Sequence, residues 1–187
     1  MICRKSDSQS IELCSKLLRE EKIIIIPTDT VYGFSGIINK TDSKIRSIKG
    51  RSENKPFIVL ISKSEEINSI SAKELPPDLL NYWPGALTVI VPAKDNPDST
   101  IAVRCPGDEW LRNVISLAGS PVYSTSVNRS GLPVLNSIEE IKREFESEVS
   151  LIVDDGDKIG ALPSTIVRFD DGISIVRQGS VIINDSF

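Results

Sequence analysis

Apolar positions along the chain follow two different periods, and these predict alternating helices and strands. Between residues 9 and 21, apolar side chains at positions 11, 14, 17 and 18 are separated by charges, which predicts an amphipathic helix. The following run KIIII, at 22–26, is β-branched and is stopped by Pro27. Unbroken apolar strands of this kind are usually buried on both faces, so we expect a central strand here.

The same two patterns continue to the end of the chain. Further strands are predicted at 57–61, 87–91, 101–103, 122–124, 151–153, 165–169 and 173–177. Helical spacing recurs between several of them, at 42–49, 78–82, 109–118 and 138–146. This alternation favours an α/β sheet, and the last two strands, separated by DDG, predict a hairpin that makes the sheet mixed.

Length and composition indicate one globular unit. The 187 residues are 40% hydrophobic and 26% charged, so we expect a single domain over 1–187. Cys3, Cys14 and Cys105 are an odd number without zinc-type spacing, which argues against a disulfide framework or a zinc site. No apolar run approaches the ~20 residues that span a bilayer. We expect a cytoplasmic protein with no membrane contact.

The chain contains no histidine. The commonest general base and the commonest metal ligand are therefore both missing. Ser-His-Asp hydrolysis, Cys-His catalysis and zinc hydrolase chemistry are excluded on this ground. Any chemistry must rest on cations, hydroxyls, carboxylates, backbone amides or a loosely held Mg²⁺.

The segment KGRSENKP, at 49–56, concentrates three cations in a chain of net charge −4. Arg51 can donate two hydrogen bonds to a phosphate, and Lys49 and Lys55 can act as mobile point charges. Lys49 and Arg51 point the same way if the segment is extended, so the three could neutralise a triphosphate. The alternative is a solvated helix end in which Gly50 is the C-cap.

Two other segments are rich in hydroxyls. PTDTVYGFSG, at 27–36, follows the buried strand and could line a small polar pocket; its hydroxyls are those of Thr28, Thr30, Tyr32 and Ser35. The alternative is a turn whose Thr and Asp side chains cap a helix. YSTSVNRSGLPV, at 123–134, could cradle an anion or a sugar, or could be a loop of turn formers; its polar residues include Ser124, Thr125, Ser126, Asn128 and Ser130.

Arginines follow or end several predicted strands. TIAVR ends in Arg104, VRQG contains Arg177, and PSTIV begins a strand with the hydroxyls of Ser164 and Thr165. Cations at strand ends among hydroxyl-rich turns fit a cleft over one sheet face that binds a polyanion together with a small polar molecule. Neither a Walker A sequence nor GxGxxG is present.

Seven of these segments occur in the order and spacing of a known family. PTDTVYG, KGRSENKP, WPGALT, AVRCP, STSVNRSG, PSTIV and VRQG resemble the YrdC/TsaC family of L-threonylcarbamoyl-AMP synthases from about residue 23 to residue 181. The resemblance implies a single twisted α/β domain with a positively charged concave cleft. It also implies the short form of the family, without the C-terminal extension of longer relatives.

The implied enzyme is a nucleotidyltransferase that joins L-threonine, bicarbonate and ATP, carried with Mg²⁺, into threonylcarbamoyl-AMP and pyrophosphate. A downstream tRNA threonylcarbamoyl-transfer complex would then modify N6 of adenosine 37. The resemblance assigns L-threonine to Thr28, Arg104, Ser124 and Ser164. It assigns ATP to Arg51, Lys55, Thr100, Ser126, Asn128 and Arg177. Lys49 and Arg51 are the implied catalytic cations.

One position departs from the family pattern, and three other functions stay open. Many members have histidine where this chain has Leu60, a position expected to contact the amino acid. The alternatives are an inactive paralogue of the same fold, a module binding double-stranded RNA or tRNA weakly, and a fragment related to hydrogenase maturation proteins. The sequence pI near 5.0 argues against a broad RNA-binding surface.

Overall fold

The computed structural model describes residues 1–52 and 56–183, in which ten strands form one sheet with helices on both faces. The strands are β1 Ile2–Arg4, β2 Ile24–Ile26, β3 Gly33–Ile37, β4 Ile58–Leu60, β5 Leu87–Pro92, β6 Thr100–Arg104, β7 Val122–Ser126, β8 Leu151–Asp154, β9 Thr165–Phe169 and β10 Ile173–Arg177. The helices are α1 Ser10–Arg19, α2 Asp42–Lys49, α3 Ile67–Ile70, α4 Pro77–Leu80, α5 Glu109–Ala118 and α6 Ile138–Phe145, with a 3₁₀ turn at Ser64–Glu66.

The sheet is mixed, as the sequence predicts. Its strand order is β1-β8-β2-β3-β7-β4-β6-β5-β9-β10. Four neighbouring pairs are parallel, namely β1 with β8, β2 with β8, β4 with β6, and β5 with β9. The predicted hairpin of β9 and β10 is confirmed as an antiparallel pair. Because β4 to β7 and β9 lie side by side, their polar ends meet over one part of the sheet.

Strand β2 is the central strand that its β-branched run predicts. All three of its residues are fully buried. Ile24 and Ile26 pack in a cluster with α1 and α5, whereas Ile25 packs with α2 and α6. Since successive side chains of a strand face opposite ways, an apolar run can serve two helical layers at once.

Strand β3 is not among the predicted strands, because most of its residues belong to the segment 27–36 that was expected to line a pocket or to form a turn. It pairs antiparallel with both β2 and β7. Gly33 permits the close pairing with β7, since a Cβ there would lie 2.6 Å from Ser124 Oγ. Gly36 permits the close approach of the start of α2, since a Cβ there would lie 2.4 Å from Thr41 Oγ1. The sequence GFSGI carries no β-branched run, so tertiary pairing rather than local preference makes it a strand.

Helix α2 spans the predicted residues and ends at Lys49. Gly50 is its C-cap, with φ of 60° in the left-handed region. The extended arrangement of Lys49 and Arg51 is therefore wrong, and the C-cap that the alternative gives to Gly50 is confirmed. The solvated cations of that alternative are not found, because Lys49 is 2% exposed and Arg51 lines a cavity. Within the two described ranges, no helix is long and apolar enough to cross a membrane.

Candidate active-site cavity

A cavity of about 260 Å³ lies on one face of the sheet. It is lined by alternate residues of neighbouring strands, including Ile58 of β4, Ala102 of β6 and Ser124 of β7. The segment joining β2 to β3 supplies one wall, through Thr28, Thr30, Val31 and Tyr32. The period of two along each strand therefore brings together residues that are far apart in the chain.

The floor of the cavity is apolar and its walls are polar. Ile58 pairs with Ala102, and Ala102 pairs with Ile90, so three apolar side chains lie in one row across the strands. Ile166 of β9 also lines the cavity. An apolar floor with a few convergent polar groups is typical of small-molecule sites.

Three arginines, Arg51, Arg104 and Arg177, line this one cavity. Among its described lining residues none is acidic. Burial, and after it the nearby charge of Arg104, lowers the pKa of Arg177. Like charges that crowd together in a partly dry cavity are stabilised by an anion, so this arrangement favours an anionic ligand.

Arg104 is held on three sides. It ends β6, is 4% exposed, and donates from Nε to the carbonyl of Gly85 at 2.9 Å. Its Nη1 donates to Thr30 Oγ1 at 3.0 Å, and its Nη2 donates to Asp29 Oδ1. Burial lowers the pKa of Arg104, and the Asp29 carboxylate opposes that effect.

The turn that holds Arg104 is itself fixed by hydroxyls. The hydroxyl of Thr28 donates to the carbonyl of Val31 at 2.7 Å and lies 2.9 Å from the hydroxyl of Thr30. Asp29 Oδ2 accepts from the backbone N–H of Gly107 at 2.8 Å. The alternative in which this segment caps a helix is wrong, because its side chains bind the turn itself, Arg104 and Gly107.

Arg51 and Arg177 are anchored to backbone and hydroxyl oxygens. Arg51 donates to Thr125 Oγ1 at 3.1 Å and to the carbonyl of Pro56 at 2.8 Å. Its Nε is buried without a hydrogen-bond partner in the described part of the chain. Arg177 donates from Nη2 to the carbonyl of Ser164 at 2.8 Å. Both therefore keep N–H donors that a ligand can use.

The structure brings most of the predicted site residues together. Those that line the cavity are Thr28, Arg51, Arg104, Ser124, Ser126, Ser164 and Arg177. Lys49, Thr100 and Asn128 are not among its lining residues. Thr100 is exposed at the start of β6. Lys55 lies outside the described residues.

Lys49 is not the mobile cation that we expected. It is 2% exposed, and its Nζ donates to the carbonyls of Ser126 and Asn128 and to Asn128 Oδ1. Desolvation by burial, with a smaller effect from the charge of Arg51, lowers the pKa of Lys49 to about 7. Asn128 Oδ1 also accepts from Ser126 Oγ at 2.9 Å. Lys49 therefore contacts the turn that carries Ser126.

Comparison with known proteins identifies the family. The model of the Sua5, YciO and YrdC proteins, described as telomere recombination, matches residues 16–179. The chain belongs to this family. A threonylcarbamoyl-AMP synthase of Bacillus subtilis is 30% identical over 190 residues, which are 94% of this chain and 55% of that protein. A putative threonylcarbamoyl-AMP synthase of Methanocaldococcus jannaschii is 31% identical over 183 residues, covering 92% and 87%.

Solved structures agree with this family assignment. Pyrococcus abyssi Sua5 complexed with L-threonine superimposes with a TM-score of 0.85 at 27% identity, covering 96% of this chain and 57% of that one. The chain thus spans a little over half the length of the Bacillus and Pyrococcus Sua5-family proteins that it matches. The mixed α/β fold predicted from the sequence is confirmed.

Two residues that hold Arg104 in place were missed by sequence reasoning. Asp29 and Gly85 fix Arg104, although neither was proposed as a site residue. An acid inside a hydroxyl-rich turn was the available signal for Asp29, because such a turn near an arginine-bearing strand end can form an ion pair. The carbonyl of Gly85 carries no side-chain signal at all. Ser35, a named pocket hydroxyl, is fully buried and does not line the cavity.

The position that departs from the family pattern lies in this cavity. Leu60 lines it and pairs in register with Arg104 on the adjacent strand. The predicted contact position is therefore next to the arginine assigned to the amino acid. Here an apolar side chain takes the place that the family resemblance gives to an imidazole.

Proposed function

We propose that this protein is an L-threonylcarbamoyladenylate synthase of the nucleotidyltransferase class. Its substrates would be L-threonine, bicarbonate and ATP, and its products threonylcarbamoyl-AMP and pyrophosphate. The observation that carries the proposal is the convergence of Arg51, Arg104 and Arg177 on one cavity whose walls carry hydroxyls. The product would pass to a tRNA threonylcarbamoyl-transfer complex for N6 modification of adenosine 37, in the cytoplasm.

L-threonine would bind at the Arg104 end of the cavity. A planar guanidinium matches a carboxylate with two parallel hydrogen bonds, and Arg104 is buried and oriented. Ser124 and Ser164 line the same cavity and can bond the amine or the hydroxyl of the substrate. Thr28 would act chiefly as a wall, because its hydroxyl is already engaged by Val31 and Thr30.

ATP would bind where Arg51, Arg177 and Ser126 line the cavity. Asn128 lies outside the lining and accepts from Ser126, so we assign it to the support of Ser126. Thr100, which also lies outside the lining, and Lys55 remain ATP contacts only as the family resemblance predicts them. Lys49 would support the same turn rather than contact phosphate. The catalytic cation in this scheme is Arg51.

The reaction needs no side-chain nucleophile. The amine of threonine adds to carbon dioxide derived from bicarbonate. The nitrogen then loses a proton to solvent, and the product is a carbamate. A carbamate oxygen then attacks the α-phosphorus of ATP, and the bond to pyrophosphate breaks. Holding the reactants together can supply about 7 to 11 kcal/mol in the best oriented cases. Arg51 and Arg177 would stabilise the charge that develops on the phosphates.

Mg²⁺ would enter as part of the nucleotide substrate. The described lining residues include no carboxylate, and the described residues contain no group of three or more His, Cys, Asp or Glu placed to hold a metal. Its ligands would therefore be phosphate oxygens and water. The protein would neutralise the remaining phosphate charge with Arg51 and Arg177.

Pyrophosphate release from ATP, followed with and without L-threonine and bicarbonate, tests the proposal. We expect release that requires both, with threonylcarbamoyl-AMP identified by mass spectrometry. Arg19→Ala is the matched control for Arg51→Ala, because Arg19 also donates to a carbonyl but lies on α1 away from the cavity. We expect it to keep the wild-type rate of pyrophosphate release. Wild-type protein that releases no pyrophosphate, or releases it without threonine, would refute the synthase and favour an inactive paralogue.

A further inference from the structure

Asp29 is the acidic residue bonded to the buried cavity arginine, Arg104. Its Oδ1 accepts from Arg104 Nη2, and its Oδ2 accepts from the N–H of Gly107 at 2.8 Å. Its side chain is 20% exposed, and it is not among the described residues that line the cavity. Asp29 can therefore act on a ligand without touching it, either by orienting Arg104 or through its own negative charge.

Arg104 keeps two N–H donors that its contacts within the protein do not use. An arginine carries five N–H groups, one on Nε and two on each terminal nitrogen. The carbonyl of Gly85 takes the one on Nε, Thr30 takes one on Nη1, and Asp29 takes one on Nη2. One N–H remains on each terminal nitrogen. An end-on fork to a carboxylate uses one N–H from each terminal nitrogen, so the donors left over match it in number.

The carboxylate of Asp29 occupies space that is available only because residue 107 is a glycine. Gly107 has no side chain, and a Cβ there would lie 2.9 Å from Asp29 Oδ2 and 3.5 Å from Gly85 Cα. The two backbone segments that fix Arg104 and Asp29 are thus in contact at Gly107. The plane of the guanidinium is consequently fixed by Asp29, Thr30 and Gly85 together.

We propose that Asp29 is a positioning residue that sets the guanidinium plane of Arg104 so that its two remaining N–H groups receive the carboxylate of the amino-acid substrate. This inference rests on the proposed function. Without Asp29 the guanidinium keeps its charge but loses one of the three contacts that orient it.

The charge of Asp29 and its orienting role have opposite effects on the affinity for a carboxylate ligand. The negative charge of Asp29 repels a carboxylate ligand, so its removal would tighten binding if charge alone mattered. Loss of orientation would weaken binding, since a fork loses both hydrogen bonds when its plane turns. The positioning role predicts that orientation dominates.

The test is titration of the wild-type protein and Asp29→Asn with L-threonine and, separately, with ATP and Mg²⁺. We expect threonine affinity to fall about tenfold or more, the loss of roughly one charge-assisted hydrogen bond, with ATP affinity unchanged. Gly107→Ala, whose Cβ displaces the same carboxylate, should have the same effect. Unchanged or tighter threonine binding in Asp29→Asn would overturn the proposal.

A matched control separates positioning from loss of stability. Asp154 has the same pattern of contacts as Asp29, with one oxygen on Lys142 at 3.0 Å and the other on the N–H of Gly156 at 3.0 Å, and it is 25% exposed. Asp154→Asn should lower the thermal midpoint and leave threonine affinity unchanged. A loss of threonine affinity in Asp154→Asn equal to that in Asp29→Asn would count against a specific role.

A second background shows whether the effect passes through the guanidinium. In Arg104→Lys, which keeps the charge but has no fork, adding Asp29→Asn should change threonine affinity by less than twofold. A full tenfold loss there would overturn the proposal. Failure of the proposed function looks different, because wild-type protein would then show no threonine binding in any titration.

Discussion

The Nζ of Lys49 lies 2.8 Å from Asn128 Oδ1, and this contact joins two segments that are 79 residues apart in the chain. The carbonyl of Lys49 in turn accepts from the N–H of Ser130 at 2.7 Å. The end of α2 and the turn after β7 therefore form one unit. Since Arg51 and Ser126 extend from its two halves, Lys49 fixes their separation across the cavity.

Replacing Lys49 by Met should lower the thermal midpoint and change its pH dependence. The folded pKa of Lys49, about 7, lies below the ordinary value of 10.5, so the unfolded chain binds more protons between these values. The contribution of Lys49 to the free energy of unfolding must then rise with pH from about 7 to 10.5. Thermal melts of both proteins across this range measure it. A pH-independent difference between the two midpoints would show that the pKa shift is absent.

Replacing Arg51 by Ala should reduce turnover roughly a hundredfold or more, because it removes a cation from the developing phosphate charge. The thermal midpoint should stay nearly unchanged, since burial, and after it the charge of Arg46, lowers the pKa of Arg51, so that removing this cation also removes an unfavourable interaction. Pyrophosphate release measures the expected loss of turnover, and thermal melts measure the expected constancy of the midpoint. Retained activity, or unfolding in place of lost activity, would contradict the assignment of Arg51 to the site.

Arg51→Lys provides the matched comparison for that experiment. It keeps one positive charge but loses the fork and the contact with Phe57, whose ring lies 5.1 Å from the guanidinium. We expect activity between that of the wild type and that of Arg51→Ala. Full activity in Arg51→Lys would mean that charge alone suffices.

Replacing Leu60 by His should raise threonine affinity a few-fold. The new imidazole would enter the cavity beside Arg104 and restore the family pattern at a position now filled by an apolar side chain. It should also lower the thermal midpoint, because Leu60 is 2% exposed and a buried imidazole needs partners. Titration with L-threonine measures the first effect, with Leu60→Met as the apolar control. Equal affinity in all three proteins would show that position 60 has no influence on the amino acid.

Direct binding of double-stranded RNA or tRNA should be weak. The chain has 26 acidic and 22 basic residues, a net charge of −4, so few cations are available to a long phosphate backbone. Filter binding at increasing salt should show low affinity that falls further with salt. Tight binding at physiological salt would revive the RNA-binding alternative.

Much of the fold could be predicted from the sequence because its apolar periods are clear. The β-branched run of β2 gives a buried strand, and the hairpin of β9 and β10 is bounded by a turn signal. Strand β3 could not be predicted in this way. Its Gly-Phe-Ser-Gly pattern becomes a strand only between β2 and β7, where Gly33 allows the close approach of β7.

The site was partly predictable for the same physical reason. Arginines that end strands and hydroxyls in adjacent turns indicate a cleft over one face of the sheet, and Arg104 and Arg177 do line one cavity there. Which cations face the cavity depends on packing that the sequence does not reveal. Lys49 and Arg51 are only two residues apart, yet one is enclosed by carbonyls and the other lines the cavity.

A crystal structure of the protein with L-threonine, ATP and Mg²⁺ would show whether both substrates occupy the cavity lined by the three arginines. The predicted result is one ligand cluster in the cavity, with the threonine carboxylate on Arg104 and the phosphates on Arg51 and Arg177. Ligands bound elsewhere, or an empty cavity at saturating concentrations of both substrates, would show that this cavity is not the active site.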